Sequence, residues 1–341
     1  MLLVLFAVLE LSLRIHEQYD PAFYVVPDTT YLKYRGRPHS YEFNSFRINA
    51  HGFKDADFTE KIPGRFRIIA LGDSQTYGAV PYPDAYMTLV VNNLRSAGAE
   101  CEILNLGVPS AGPVDYLSVF LNEGLDLKPD LVLLNFNIYD DFKNGGKRFK
   151  FYSYSKAASY INNIIATRFG AQGRIFGSGR YREGISLRSD ESYVRLVTEA
   201  HEGVFRKRND RFREDFRSAF GYVKTIKKIC DAKKIALAVV IIPADLQLYA
   251  GLQRKVMAAQ RTRCEDYDFR RPNRILAREC LKLHIEFIDI LDGLRRAHAI
   301  DGKSLTQGND PHWTLHGSAV AAEEVSPWLL RQVRSVRKTG N

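Results

Sequence analysis

The sequence predicts an α/β domain built on a doubly wound parallel sheet, and two observations carry that prediction. Five short apolar runs recur along the chain: residues 66–71 (FRIIAL), 101–106 (CEILNL), 131–136 (LVLLNF), 235–242 (IALAVVII) and 285–290 (IEFIDI). Runs without alternation suit strands covered on both faces. Helical stretches such as 86–97 and 216–232 separate them, and strand–helix alternation brings helices onto both sides of a parallel sheet. In such a sheet the ligand crevice lies at the carboxyl ends of the strands, so the residues after each run are the ones to inspect.

Taken in order, residues 1–15 read MLLVLFAVLELSLRI, nine apolar residues before Glu10 and Arg14. That is short of the roughly 18–20 needed to cross a bilayer. Three readings stay open: part of a membrane anchor, an export signal lacking a basic start, or an amphipathic helix packed on the domain. Residues 16–65 carry Pro21, Pro27, Gly36, Pro38 and Gly52 with no sustained helical period, and are expected to form an irregular lead-in with short strands.

Gly72-Asp73-Ser74 follows the first strand run. A serine there stands at the sheet's carboxyl edge, where backbone N–H groups opening a helix can stabilise a developing oxyanion; equally, it can be a helix cap. The second run leads into Gly107, whose lack of a side chain serves either a turn or a backbone donor facing a ligand. Asn137, Asp140 and Asp141 follow the third.

Residues 142–220 interrupt the alternation and are expected to form an insertion. Between Lys143 and Arg217 stand 17 Lys/Arg against 8 Asp/Glu, nearly the whole of the chain's net charge of +10. Within it Lys147, Arg148 and Lys150 interleave with Phe149, Phe151, Tyr152, Tyr154 and Tyr160. Such a strip suits stacking on a sugar or contact with an anionic polymer or membrane surface, or anchors the insertion through its aromatics. No nucleic-acid motif accompanies the charge, so nucleic acid is not an expected partner.

The last block, Asp310-Pro311-His312-Trp313, precedes a C-terminal helical stretch. A carboxylate two residues before a histidine can orient one ring nitrogen and leave the other for a hydroxyl. His316 stands at i+4 from His312 without a third ligand, and Cys101, Cys230, Cys264 and Cys280 lack metal spacing, so neither metal nor cofactor is expected. A chain of 341 residues with 45% hydrophobic residues supports a sizeable core and excludes disordered, collagen-like and disulfide-scaffold classes.

Gly72-Asp73-Ser74, Gly107 and the Asp310/His312 pair, in this order, resemble the SGNH (GDSL) hydrolase superfamily. The likeness spans residues 66–142 and 221–330 of a domain expected over 66–335. The RINAHGFKDADF stretch (47–58), the apolar N-terminus and the DPHWTLHG block are similar to membrane-anchored bacterial cell-envelope esterases and O-acyltransferases acting on polysaccharides. The resemblance implies a three-layer α/β/α fold with a five-stranded parallel sheet. It also implies a Ser74–His312–Asp310 catalytic triad, oxyanion donors at the Ser74 and Gly107 backbones, and transfer or hydrolysis of an acyl group, acetyl foremost. The implied substrate is a small ester, glycan or lipid-linked ester, at the inner membrane facing the periplasm or exterior.

One block departs from the pattern. The superfamily carries Gly-x-Asn-Asp after the third strand, with the Asn amide as a further oxyanion donor, whereas this chain reads NFNIYDD at 135–141. Either Asp140 occupies the donor position or Asn137 substitutes from a displaced one. Because an ionised carboxylate repels an oxyanion, a catalytically silent member that binds a glycan or anionic envelope polymer is the alternative expectation.

Overall fold

The computed structural model describes residues 1–19, 25–27, 34–36, 38–39, 46–142, 155, 157–158, 181, 183–184, 186, 188–200 and 202–339. The basic aromatic strip of 147–160 lies, apart from Ser155, Ala157 and Ala158, outside the described residues.

In chain order the elements are helix α1 (Leu2–Tyr19), strands β1 (Val25–Pro27) and β2 (Tyr34–Gly36), β3 (Phe66–Gly72), α2 (Ser74–Tyr77), α3 (Tyr86–Ser96), β4 (Cys101–Gly107), α4 (Pro113–Val119) and β5 (Leu131–Asn137). There follow α5 (Asp190–Ala200), α6 (Asp210–Lys233), β6 (Ala236–Ile242), α7 (Asp245–Leu248), α8 (Ala250–Gln260), α9 (Arg271–Lys282), β7 (Glu286–Asp289), α10 (Leu291–Asp301) and α11 (Leu315–Thr339). β1 and β2 pair antiparallel. The remaining five strands form one all-parallel sheet in the order β4-β3-β5-β6-β7.

Strand alternation explains the two cores. Ile69 and Leu71 of β3, Val132, Leu134 and Phe136 of β5, and Leu237, Val239 and Ile241 of β6 enter one core with Tyr116 of α4, Phe220 and Val223 of α6 and Leu276 of α9. Their neighbours Ile68, Ala70, Leu131, Leu133, Ala238 and Val240 enter the other, with Val90 and Leu94 of α3, Leu294 of α10 and Val325 and Leu329 of α11. Helices therefore cover both faces, which is why the sequence shows solid apolar runs there instead of a period of two.

Connections reverse direction between β3 and β5, the switch point at which a crevice opens beyond the strand ends. Ser74 follows β3 and the Asp140–Asp141 loop follows β5, so both stand at that crevice. α6 begins at Asp210, six residues ahead of the expected start, capped by Asn209 Oδ1 accepting from the Phe212 N–H at 3.2 Å. The charged stretch before Phe216 belongs to that helix because Phe212, Phe216 and Phe220 continue one apolar face at intervals of four.

In α1 the apolar side chains face solvent: Leu3 is 86% exposed and Leu11 61%. Glu10 accepts from the Ser155 hydroxyl at 2.8 Å and the Ala157 N–H at 2.7 Å. No described helix is long and apolar enough to cross a membrane. All four cysteines are free, Cys264 at the surface and the others buried.

Candidate active site

Three segments far apart in sequence meet at the end of β3. Ser74 opens α2, and Asp73 caps that helix, its Oδ1 accepting from the Gln75 N–H at 2.9 Å. Gly72 and Gly107 lie opposite each other at the ends of β3 and β4. A Cβ on Gly72 would stand 1.9 Å from Thr76 Oγ1, and one on Gly107 would stand 2.4 Å from the Tyr77 nitrogen. Glycine at both ends is what lets α2 lie flat across the two strands.

The His312 loop is fixed by backbone pairing. Thr306 bridges Trp313, and the Gln307 N–H donates to the His312 carbonyl at 2.8 Å. Gln75 ties this loop to the serine helix, its amide donating to the Pro311 carbonyl at 2.7 Å and its Oε1 accepting from the Trp313 N–H at 3.3 Å. The Trp313 ring meets Tyr86 edge-on at 5.1 Å. His312 Nε2 thereby comes to 2.8 Å from Ser74 Oγ, and Nδ1 to 2.5 Å from Asp310 Oδ1. Asp310 and His312 are buried while Ser74 is half-exposed, so the chain of contacts ends at a hydroxyl that a substrate can reach.

The electrostatics favour a basic histidine. Burial by itself would lower His312, but the Asp310 carboxylate, supported by Asp73 and Asp140, raises it above its usual 6.5. Burial would raise Asp310, yet His312, the backbone N–H it accepts and Arg188 hold it below the ordinary carboxylate range. Arg188 was not foreseen; its Nη1 lies 3.2 Å from Asp310 Oδ2, with both side chains nearly inaccessible.

Of the expected oxyanion donors, Ser74 offers its backbone N–H at the first turn of α2, which has no partner within a helix by construction. Gly107 does not offer a free donor: its N–H donates to Asn105 Oδ1 at 2.9 Å, and its glycine character answers to the close approach of α2 instead. The next exposed residue past β4 is Ser110, held at φ +58°.

Asn137 is likewise engaged inward. Its amide donates to Asp73 Oδ2 at 2.7 Å and its Oδ1 accepts from the Tyr139 N–H at 3.0 Å, so it braces the serine's cap. Burial raises Asp73, and the Asn137 amide and Gln75 N–H counter that shift. Asp141 is fully buried, accepting from the Tyr116 hydroxyl at 2.7 Å and the Asn137 N–H at 2.8 Å. Asp140 is the half-exposed member of the block, and its charge acts on His312. The two alternatives left open by the sequence thus separate: Asn137 is tied to the cap of the serine helix, while Asp140 is half-buried, with Oδ1 shielded from solvent, and acts on His312 through its charge.

Two more residues missed in the sequence support the serine loop from the 47–58 stretch. Lys54, 1% exposed, donates to the Gly78 carbonyl at 2.7 Å and the Val80 carbonyl at 2.6 Å, just past α2. Asp55 accepts from the Asn105 N–H and the Tyr82 hydroxyl, each at 2.7 Å. Burial pushes its carboxyl up to about 6. His316, the metal-compatible neighbour, lies 3.1 Å from Asp301, and among the described residues no cluster of three or more His, Cys, Asp or Glu could hold a metal ion.

No family model matches the chain, and no curated protein matches it. Solved structures similar to it include an acetyl xylan esterase (13% identity, 76% of this chain and 98% of that one, TM-score 0.44). A lipase/acylhydrolase from Enterococcus faecalis is 13% identical over 78% and 96% of the two chains, with a TM-score of 0.38. A GDSL-like lipase from Bacteroides thetaiotaomicron is 12% identical over 80% and 92%, with a TM-score of 0.37. At these values the likenesses carry no chemical assignment, which rests on the geometry above.

Proposed function

We propose that this protein is a serine-dependent ester hydrolase or O-acyltransferase, acting on an acetyl or similar short acyl ester of a carbohydrate or lipid-linked substrate at the bacterial cell envelope. The observation that carries the reading is the unbroken Ser74–His312–Asp310 chain, ending on an accessible hydroxyl at the switch point of the sheet.

In this mechanism His312 Nε2 takes the Ser74 proton as Oγ attacks the ester carbonyl, and Asp310 holds the imidazole and stabilises its cationic form. The tetrahedral oxyanion accepts from the Ser74 N–H and from backbone at the turn after β4, where Ser110 stands. His312 then returns the proton to the departing alkoxide, leaving an acyl-serine. Water or a sugar hydroxyl, deprotonated by the same nitrogen, takes the acyl group and regenerates Ser74. Attachment at the envelope is supported by the exposed apolar residues of α1, such as Leu3, Val4 and Leu11, which bury favourably against lipid.

Fluorophosphonate labelling of the wild type and of Ser74→Ala tests the chemistry. Labelling of the wild type alone is expected. An unlabelled wild type would leave the catalytically silent, glycan-binding reading in place; equal labelling would remove Ser74 from the mechanism.

A further inference from the structure

Away from the serine, α6 and α9 enclose a groove of about 540 Å³ with an unusual lining. Its floor is apolar: Phe216 stacks on Phe220 with ring centroids 5.3 Å apart, and Ile275 of α9 faces them. Phe216 and Ile275 are only half-buried. Its rim is cationic, with Arg213, Arg217 and Lys224 on α6 and Arg271 and Arg278 on α9, against the single acid Glu279. Spacings of four and seven place each set along one helix face.

Five rim cations stand against one acid among the lining residues, so most of the rim charge has no opposite charge in the groove. Among the described residues Arg213, Arg217 and Lys224 form no ion pair, while Glu279 is shared between Arg278, whose Nε lies 3.4 Å from its Oε1, and Lys282 at 2.7 Å. Arg271 lies over the Phe212 ring at 4.6 Å. Its guanidinium is held below its usual range, first by burial and then by the positive charge of Arg213. Gathering like charges around a half-open apolar floor costs folding energy, and an anion between them relieves it. A free inorganic anion would leave the floor in water; a neutral lipid would leave the charges unmatched.

We propose that the α6–α9 groove binds an anionic phospholipid, its phosphodiester held by Arg213, Arg217 and Arg278 and the first carbons of its chains resting on Phe216 and Ile275. The volume lies within the range of about 300–1,000 Å³ usual for ligand pockets, and the remainder of each chain stays in the bilayer. The site is separate from the acyl-transfer chemistry and does not depend on it.

Calorimetric titration of the full chain with dihexanoyl phosphatidylglycerol below its micelle concentration tests this, with dihexanoyl phosphatidylcholine and inorganic phosphate run in parallel. Saturable one-site binding of the anionic lipid is expected, about tenfold or more tighter than either control. Arg213→Gln/Arg217→Gln/Arg278→Gln, all at exposed positions, should weaken it by about tenfold or more, and Phe216→Ser should weaken it with the charges intact. Glu279→Gln should tighten it several-fold. Equal binding of phosphatidylcholine, equal binding of phosphate, no binding at all, or an unchanged triple variant would each overturn the proposal.

Discussion

Arg188 Nη1 lies 3.2 Å from Asp310 Oδ2, the carboxylate oxygen that His312 does not use, so one buried carboxylate is shared between an imidazole and a guanidinium. A cation there keeps Asp310 ionised and opposes a positive charge on His312. Replacing it with Met removes that opposition, so the histidine pKa should rise further and the acidic limb of kcat/KM should move to higher pH. NMR titration of His312 reads this with or without turnover. Loss of one partner of a buried pair should also cost about 3–5 kcal/mol of stability, measured by urea unfolding, while Arg188→Lys should keep part of both effects.

The proposed triad makes a sharper demand. Ser74→Ala and His312→Ala should each abolish turnover of an activated acetyl ester without loss of fold, because neither group works without the other. Asp310→Asn should fall by about 10⁴ through the wrong imidazole tautomer. Since His312 is held above 6.5 and the proposed mechanism needs it as a neutral base, wild-type kcat/KM should decline as pH falls through that raised value. Near-normal turnover by His312→Ala would remove the triad.

Some of this arrangement was legible in the sequence and some was not, for reasons of distance. Strand ends and glycines could be found because burial on both sheet faces leaves solid apolar runs, and the chemistry follows each run within a few residues. Asp310 and His312 announce themselves as a local pair. Arg188 acts across 122 residues and Lys54 across 24, from segments without a hydrophobic period, so no local pattern marks them. Gly107 misled because two glycine roles, donor and close approach, look alike in sequence; the nearby Asn105 that claims its N–H was the available clue.

Lys54 is expected to hold the serine loop in place. With its ammonium gone in Lys54→Met, the Gly78 and Val80 carbonyls lose their charged donor. Such loss costs about 1–3 kcal/mol per buried group, to be measured by denaturant unfolding. Because Gly78 closes α2, kcat should fall more than KM rises. Unchanged kcat in a folded variant would confine Lys54 to packing.

Asp55 gives a stability signature of definite sign. Its folded value of about 6 exceeds the ordinary 3.8, so the folded state holds the proton more tightly. The associated stability is full below about pH 4 and is lost as pH rises toward 6, by about 3 kcal/mol in all. Asp245, also raised by burial to about 6, adds a similar step. Asp55→Asn should therefore remove one step and leave the other, so that its stability relative to wild type improves between pH 4 and 7. A pH-independent difference would refute the assignment.

The third block supplies the last test, because Asp140 and Asn137 now have different neighbours. Asp140 is half-exposed and its charge supports His312 as a cation, but an ionised carboxylate next to a developing oxyanion opposes it. Asp140→Asn therefore trades two effects: it supplies an amide donor, worth about 10²–10³ in rate where geometry is right, and lowers His312 basicity. The donor should dominate, giving activity equal to or above wild type, with the acidic limb of kcat/KM moved to lower pH as His312 loses a nearby negative charge. Asn137→Ala has no such gain. It strips Asp73 of the amide at 2.7 Å, drives that buried carboxyl further up and loosens the cap of α2, so stability and kcat should fall together. If Asn137→Ala instead lost rate by about 10² at unchanged stability, Asn137 would be the direct oxyanion donor and the orientation described for this block would be wrong.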